Sequence, residues 1–227
     1  MLSLNSDLEQ RYNLLKDRLA AACKRSGRKP EEVTIVAVTK GFPASAIIEA
    51  HKLGIRHFGE NWVQEAGPKF SSLTSLSPRP VWHMVGHLQT NKVKLALQLF
   101  DIIQSVDSVK LADLLNNQAK KRLPVFLEIN TGGENTKFGL KTEEAEEAFN
   151  AIRKLSNLEV RGLMTVAPVV SRPEEARPYF RSLKRLAGSL GLKELSMGMS
   201  DDYEVAVEEG ATMIRIGRAL FGERRLE

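Results

Sequence analysis

Thr34-Ile-Val-Ala-Val-Thr-Lys40, closed by Gly41, Phe42 and Pro43, is the stretch that decides the fold. It is apolar and β-branched, and a glycine and a proline end it, so it reads as a buried strand running into a loop. Side chains alternate along a strand, which puts Thr34, Val36, Val38 and Lys40 on one face. If that face lines a barrel, the Lys40 amine points into the open end. An amine held there loses hydration, which favours its neutral form and makes it a nucleophile toward an aldehyde. A strand-end lysine whose amine simply reaches water is the competing reading, and this stretch alone does not exclude it.

Outward from this strand, apolar runs and helical patterns alternate. Further strands are expected at 55–60, 81–86, 101–106, 124–130, 160–166, 195–198 and 213–217, with helices at 43–53, 61–73, 89–100, 108–121, 142–155, 171–191 and 201–209. Ser6 and Glu9 have the spacing of a capping box, so an additional amphipathic helix is expected from there to Ser26 and Gly27. Eight strands separated by helices predict an α/β fold, a (β/α)8 TIM barrel occupying 1–227 as one domain. An open doubly wound sheet is the alternative, but no glycine fingerprint follows the first strand.

Composition sets limits on function. The 227 residues are 42% hydrophobic and 27% charged, with net charge +5 and a pI near 9.3, which permits anion binding, including phosphate esters. Basic and acidic residues are interspersed, and only three Tyr and two Trp are present, so nothing points to nucleic acid. Cys23 is the single cysteine, which rules out an intrachain disulfide and a multi-cysteine metal site and suits a reducing compartment. The first 28 residues lack a signal-type apolar core and no run of about 18 apolar residues occurs, so a cytoplasmic protein without a membrane segment is expected.

A barrel carries its chemistry at the C-terminal ends of its strands. Those positions hold Lys40, Asn61, His83 with Gly86, Asn130, Met164 with Thr165, Ser200, and Arg215 with Gly217. Met197-Gly-Met-Ser-Asp201 and Gly217-Arg-Ala-Leu-Phe-Gly222 are small-residue turns into helices, where unpaired amides can receive an anion. Ser200 could add its hydroxyl or merely cap the helix beginning at Asp201, and Gly217 could merely allow close packing. Arg215 interrupts an apolar strand and needs an acceptor; Glu128 is the structural candidate. An inward lysine, an arginine and a phosphate cradle on one mouth suggest pyridoxal 5'-phosphate (PLP). Its aldehyde would meet Lys40, its phosphate Ser200 and the amides of Gly217 and Arg218, and its ring nitrogen Arg215.

At this point a family resemblance is plain. Val36-Ala-Val-Thr-Lys40, Phe58-Gly-Glu-Asn61 with Gln64 and Glu65, Trp82 to Lys92, Glu128 to Glu134, Gly162-Leu-Met-Thr165, Met197 to Asp201 and Arg215 to Gly222 follow one another as in the pyridoxal phosphate homeostasis proteins. That family is related in fold to the N-terminal barrel of alanine racemase. The resemblance implies an internal aldimine on Lys40, phosphate contacts at Ser200, Gly217 and Arg218, a ring-nitrogen contact at Arg215, and Asn61 and Met164 beside the cofactor. Lys137-Phe-Gly139 departs slightly from the family's small-residue loop. His83, His87, Asn91 and Lys92 receive no catalytic role.

Arginine at the ring nitrogen disfavours ring protonation and weakens the cofactor as an electron sink. A racemase also needs a second acid or base opposite the lysine, which in alanine racemase is a tyrosine from another domain. Tyr12, Tyr179 and Tyr203 all fall in predicted helices, and the chain stops at Glu227. The expectation is therefore a monomeric PLP carrier or buffer, supplying PLP-dependent apoenzymes with little or no turnover. The alternatives are a slow amino-acid racemase of the same fold and a phosphate-ester enzyme without PLP.

Overall fold

A computed structural model describes residues 4–134 and 136–223. Nine strands run through them: β1 (Thr34–Val38), β2 (His57–Glu60), β3 (Val81–Met84), β4 (Ile102–Val106), β5 (Leu123–Asn130), β6 (Leu140–Lys141), β7 (Leu158–Met164), β8 (Glu194–Ser196) and β9 (Met213–Ile216). The helices are α1 (Leu4–Arg25), α2 (Ala44–Lys52), α3 (Val63–Ser71), α4 (Val93–Leu99), α5 (Val109–Gln118), α6 (Ala145–Ile152), α7 (Arg177–Ser189), α8 (Tyr203–Glu208) and α9 (Arg218–Phe221).

Eight of the strands close into a parallel barrel in the order β1, β2, β3, β4, β5, β7, β8, β9. The expected (β/α)8 architecture is the one observed. Register follows from which side chains each face buries. Val36 pairs with Arg215 across β1 and β9, so Lys40, four residues beyond Val36, stands above Arg215 at the C-terminal mouth.

The β1 alternation sorts its residues between two shells. Ala37 packs outward with Phe58, Leu127, Ile214 and Phe180 in the layer between sheet and helices. Val36 packs inward with Ile102, Phe126, Met164 and Met213. The outer shell is the main apolar core, and the inner one is a five-residue floor beneath the mouth. α1 lies outside against α8 and α9. Arg25 of α1 ties to Glu208 at 2.6 Å, and Arg28 donates to the Val207 and Ala211 carbonyls at 2.9 and 2.7 Å.

Several local expectations need correction. The first helix begins at Leu4, so Ser6 lies inside it rather than at its cap. β1 ends at Val38, leaving Thr39 and Lys40 beyond the ladder, and β2 begins at His57 rather than at 55. The helices expected from 89, 142 and 171 open with short 3-10 turns at Thr90–Lys92, Thr142–Glu144 and Pro173–Ala176. β6 was not anticipated; it extends the end of β5 by pairing Leu140 and Lys141 with Ile129 and Asn130, and two residues are too few to show a period.

Candidate functional site

A cavity of about 450 Å³ opens at the C-terminal mouth, within the range of small-molecule sites. Val38, Phe42, Val85 and Val166 give it apolar walls, while Lys40, Asn61, Ser200 and Arg215 give it polar ones. Gly217 and Arg218 border it where β9 passes into α9. The structure thus brings six of the seven expected positions to one opening. The seventh, Met164, is fully buried in the inner floor and does not line the cavity.

Each polar position is held by local structure. The Ser200 hydroxyl accepts the Ala219 amide at 3.1 Å, and a hydroxyl in that role keeps its own proton to donate. Ser200 is not the cap of α8; Asp202 occupies that position, and its carboxyl accepts the Met199 amide at 2.6 Å. Burial pushes the Asp202 carboxyl above its usual range. The amides of Gly217 and Arg218 stand at the start of α9, where a helix has no partners of its own for them. The Arg218 guanidinium turns to the Asp201 carboxylate, so only its backbone suits the cradle role. Asn61 does not cap α3, whose N-cap is Trp62. It sits against Gly86, where an added Cβ would come within 2.5 Å of the Asn61 carbonyl oxygen, so that glycine is required by close approach.

Arg215 is 4% exposed and donates to Ser196 Oγ and to the Thr165 carbonyl, each at 2.7 Å. Glu128, the partner expected from sequence, acts on it through space; the direct acceptors are these two neutral oxygens. Burial dominates both charges. It draws the Arg215 pKa down to about 10 against the pull of Glu128 and Asp202, and it raises Glu128 to about 7 against the pull of Arg215. Arg215 therefore stays charged at neutral pH while Glu128 is poised to titrate.

From Arg215 a single chain of hydrogen bonds crosses the barrel. Ser196 Oγ donates to Gln104 Oε1 at 2.6 Å, and Gln104 Nε2 donates to His83 Nδ1 at 2.8 Å. His83 Nε2 then meets His57 Nδ1 at 2.9 Å. Because Gln104 Nε2 can only donate, His83 must carry its proton on Nε2, and every bond points away from Arg215. Burial drives the His83 pKa down to about 3, helped by His57 and Arg161, so the ring stays neutral. His87 belongs to a different setting, bonded to Asp107 at 3.0 Å and stacked on Phe138. Among the described residues no group of three or more His, Cys, Asp or Glu side chains is arranged to hold a metal ion.

Comparison with known proteins bears on this geometry. Residues 13–225 match the family described as alanine racemase, N-terminal domain. The pyridoxal phosphate homeostasis protein of Aquifex aeolicus is 41% identical over 225 residues, covering 95% of this chain and 98% of that one. The chain belongs to the pyridoxal phosphate homeostasis protein family. Its member from Escherichia coli K12 is 39% identical over 230 residues, covering 96% and 97% of the two chains. The structure of PipY from Synechococcus elongatus with PLP bound superposes with a TM-score of 0.80 at 39% identity, covering 91% of this chain and 99% of that one.

Within this family member, sequence reading missed Ser196, Gln104 and the Thr165 carbonyl as the groups that hold Arg215. Gln104 left a trace, a lone amide in the apolar run Ile102-Ile-Gln-Ser-Val106. Ser196 left a weaker one, since its inward position next to Arg215 depends on the β8 to β9 pairing, which only the closed barrel supplies.

Proposed function

We propose that this chain binds PLP covalently but reversibly on Lys40 and buffers it in the cell, as one domain over 1–227. The single observation that carries the reading is that Lys40, Arg215, Ser200 and Gly217 border one cavity. The groups present fit a phosphorylated aromatic aldehyde: an amine, a fixed cation, a hydroxyl with helix-start amides, and apolar walls for a ring. When bound, PLP would supply an aldehyde, an electrophile that the Lys40 amine would hold reversibly in exchange for one water. Ser200 and the amides of Gly217 and Arg218 would hold the phosphate.

Arg215 would face the ring nitrogen and, charged at neutral pH, leave that nitrogen unprotonated, which disfavours carbanion chemistry. None of Tyr12, Tyr179 and Tyr203 lines the cavity, so no tyrosine stands opposite Lys40 as a second base. These features support storage over turnover, with Asn61 beside the ring, Met164 in the floor beneath it, and delivery to PLP-dependent apoenzymes. The same reading takes the protein as a cytoplasmic monomer. No helix among the described residues is long and apolar enough to cross a membrane, and Cys23 is buried and unpaired with another cysteine.

The test is gel filtration of the protein after incubation with PLP, read by visible absorbance, alongside assays with single amino-acid enantiomers. Absorbance that stays with the protein and no turnover of either enantiomer is expected. Turnover lost in Lys40→Ala would reject storage in favour of racemisation.

A further inference from the structure

Lys40 sits on a tight turn, and that turn is gripped from below. The Thr39 carbonyl accepts the Phe42 amide at 3.0 Å, closing a four-residue turn with Lys40 second and Gly41 third. Gly41 has φ 73°, the left-handed value the third position of a type II turn demands. Both peptide groups flanking Lys40 are then fixed from outside the cavity. The Gly41 amide donates to Glu65 Oε1 at 2.6 Å, and Lys69 Nζ donates to the Thr39 carbonyl at 2.8 Å.

The two ends of this grip are one assembly. Lys69 also reaches Glu65 at 2.6 Å and Glu60 at 2.7 Å, and the Thr39 hydroxyl reaches the same Glu60 oxygen at 2.6 Å. Glu60, at the end of β2, is fully buried; Glu65 and Lys69 lie one helical turn apart on α3. None of Glu60, Glu65 and Lys69 lines the cavity. A part-buried ammonium with two carboxylates, one of them fully buried, is costly to desolvate, and hydrophobic residues would serve stability as well. Here the assembly meets the backbone on both sides of one residue only.

We infer that Glu65, Lys69 and Glu60 are positioning residues for Lys40, clamping its turn so that the amine is presented to the cavity in one orientation. This rests on the PLP reading above, and the experiment separates the two. Glu65→Ala is the first variant, because it frees the Gly41 amide while leaving Lys69 paired with Glu60. Glu65→Gln keeps an acceptor oxygen at similar reach.

In the protein without added PLP, amide hydrogen exchange at Gly41 is expected to rise about tenfold in Glu65→Ala and to return toward the unaltered rate in Glu65→Gln. On addition of PLP, the visible band of the lysine adduct is expected to grow about tenfold more slowly in Glu65→Ala, with rescue in Glu65→Gln. Non-covalent PLP uptake is expected to be equal in Lys40→Ala and Lys40→Ala/Glu65→Ala. Unchanged exchange at Gly41 overturns the clamp, and so does an unchanged adduct rate despite faster exchange. Faster exchange with no adduct in any protein, the unaltered one included, sustains the clamp and rejects the PLP reading instead.

Discussion

Outside the barrel wall, Ala37, Phe58 and Ile214 of the strands pack with Phe180 of α7 in an apolar layer. Inside it, alongside the floor of Val36, Ile102, Phe126, Met164 and Met213, a line of hydrogen bonds runs from Arg215 through Ser196 and Gln104 to His83 and His57. The two shells are stabilised differently. The outer one gains from area removed from water and tolerates change roughly by volume. The inner one has desolvated a guanidinium, an amide and two imidazoles, and each must keep its partner or the group is stranded. Stability is concentrated in the first and the orientation of Arg215 in the second.

Substitutions on the two sides should therefore separate cofactor retention from folding. Lys40→Ala is expected to have the largest effect, with no visible adduct on adding PLP and a melting temperature within about 2 °C of the unaltered chain. An undiminished visible band would place the chemistry elsewhere. Phe180→Ala, in the outer shell, is expected to destabilise by about 3–5 kcal/mol in urea titration while the folded fraction keeps its PLP affinity. Affinity lost in step with stability would erase the distinction between the shells.

Ser196→Ala, in the inner shell, removes an acceptor from a buried cation and should cost about 1.5–3 kcal/mol of PLP binding, roughly 10- to 150-fold in dissociation constant. Unchanged affinity would show that Arg215 holds its pose without this bond.

The last expected effect is one of pH. Glu128 titrates near 7 in the fold, above its ordinary 4.5, because burial disfavours its charge. Between those values the native state keeps a proton that the unfolded chain has lost. The stability this contributes is complete below about 4.5 and disappears as pH rises through about 7. The melting temperature of the unaltered chain, relative to Glu128→Gln, should fall by about 5–10 °C between pH 5 and 8. A constant difference would mean that Glu128 is ionised throughout.

How much of this was legible in sequence follows the same division. The alternation of β1 exposed the outer and inner faces and pointed Lys40 at the mouth, because period and burial are local properties. Arg215 was visible as a charge in an apolar strand. Its acceptors were not, since Ser196 and the Thr165 carbonyl reach it only through strand pairings 19 and 50 positions apart, and Glu128 was the more conspicuous candidate on charge alone. Ser200 as a cap was reasonable from residue type; α8 starts two residues later than expected, and Asp202 takes the position. The clamp under Lys40 was hidden for a similar reason: Glu60, Glu65 and Lys69 look like an ordinary charged helix and strand end until the fold lays them beneath the turn.

The most direct measurement is borohydride reduction of the PLP-loaded protein followed by mass mapping of its peptides. The visible band should vanish, and the mass of the reduced cofactor should appear on the peptide containing Lys40, in near-equal ratio to protein. A label on a different lysine, or none at all, would contradict the claim that the Lys40 amine and the cradle around Ser200 and Gly217 serve one ligand.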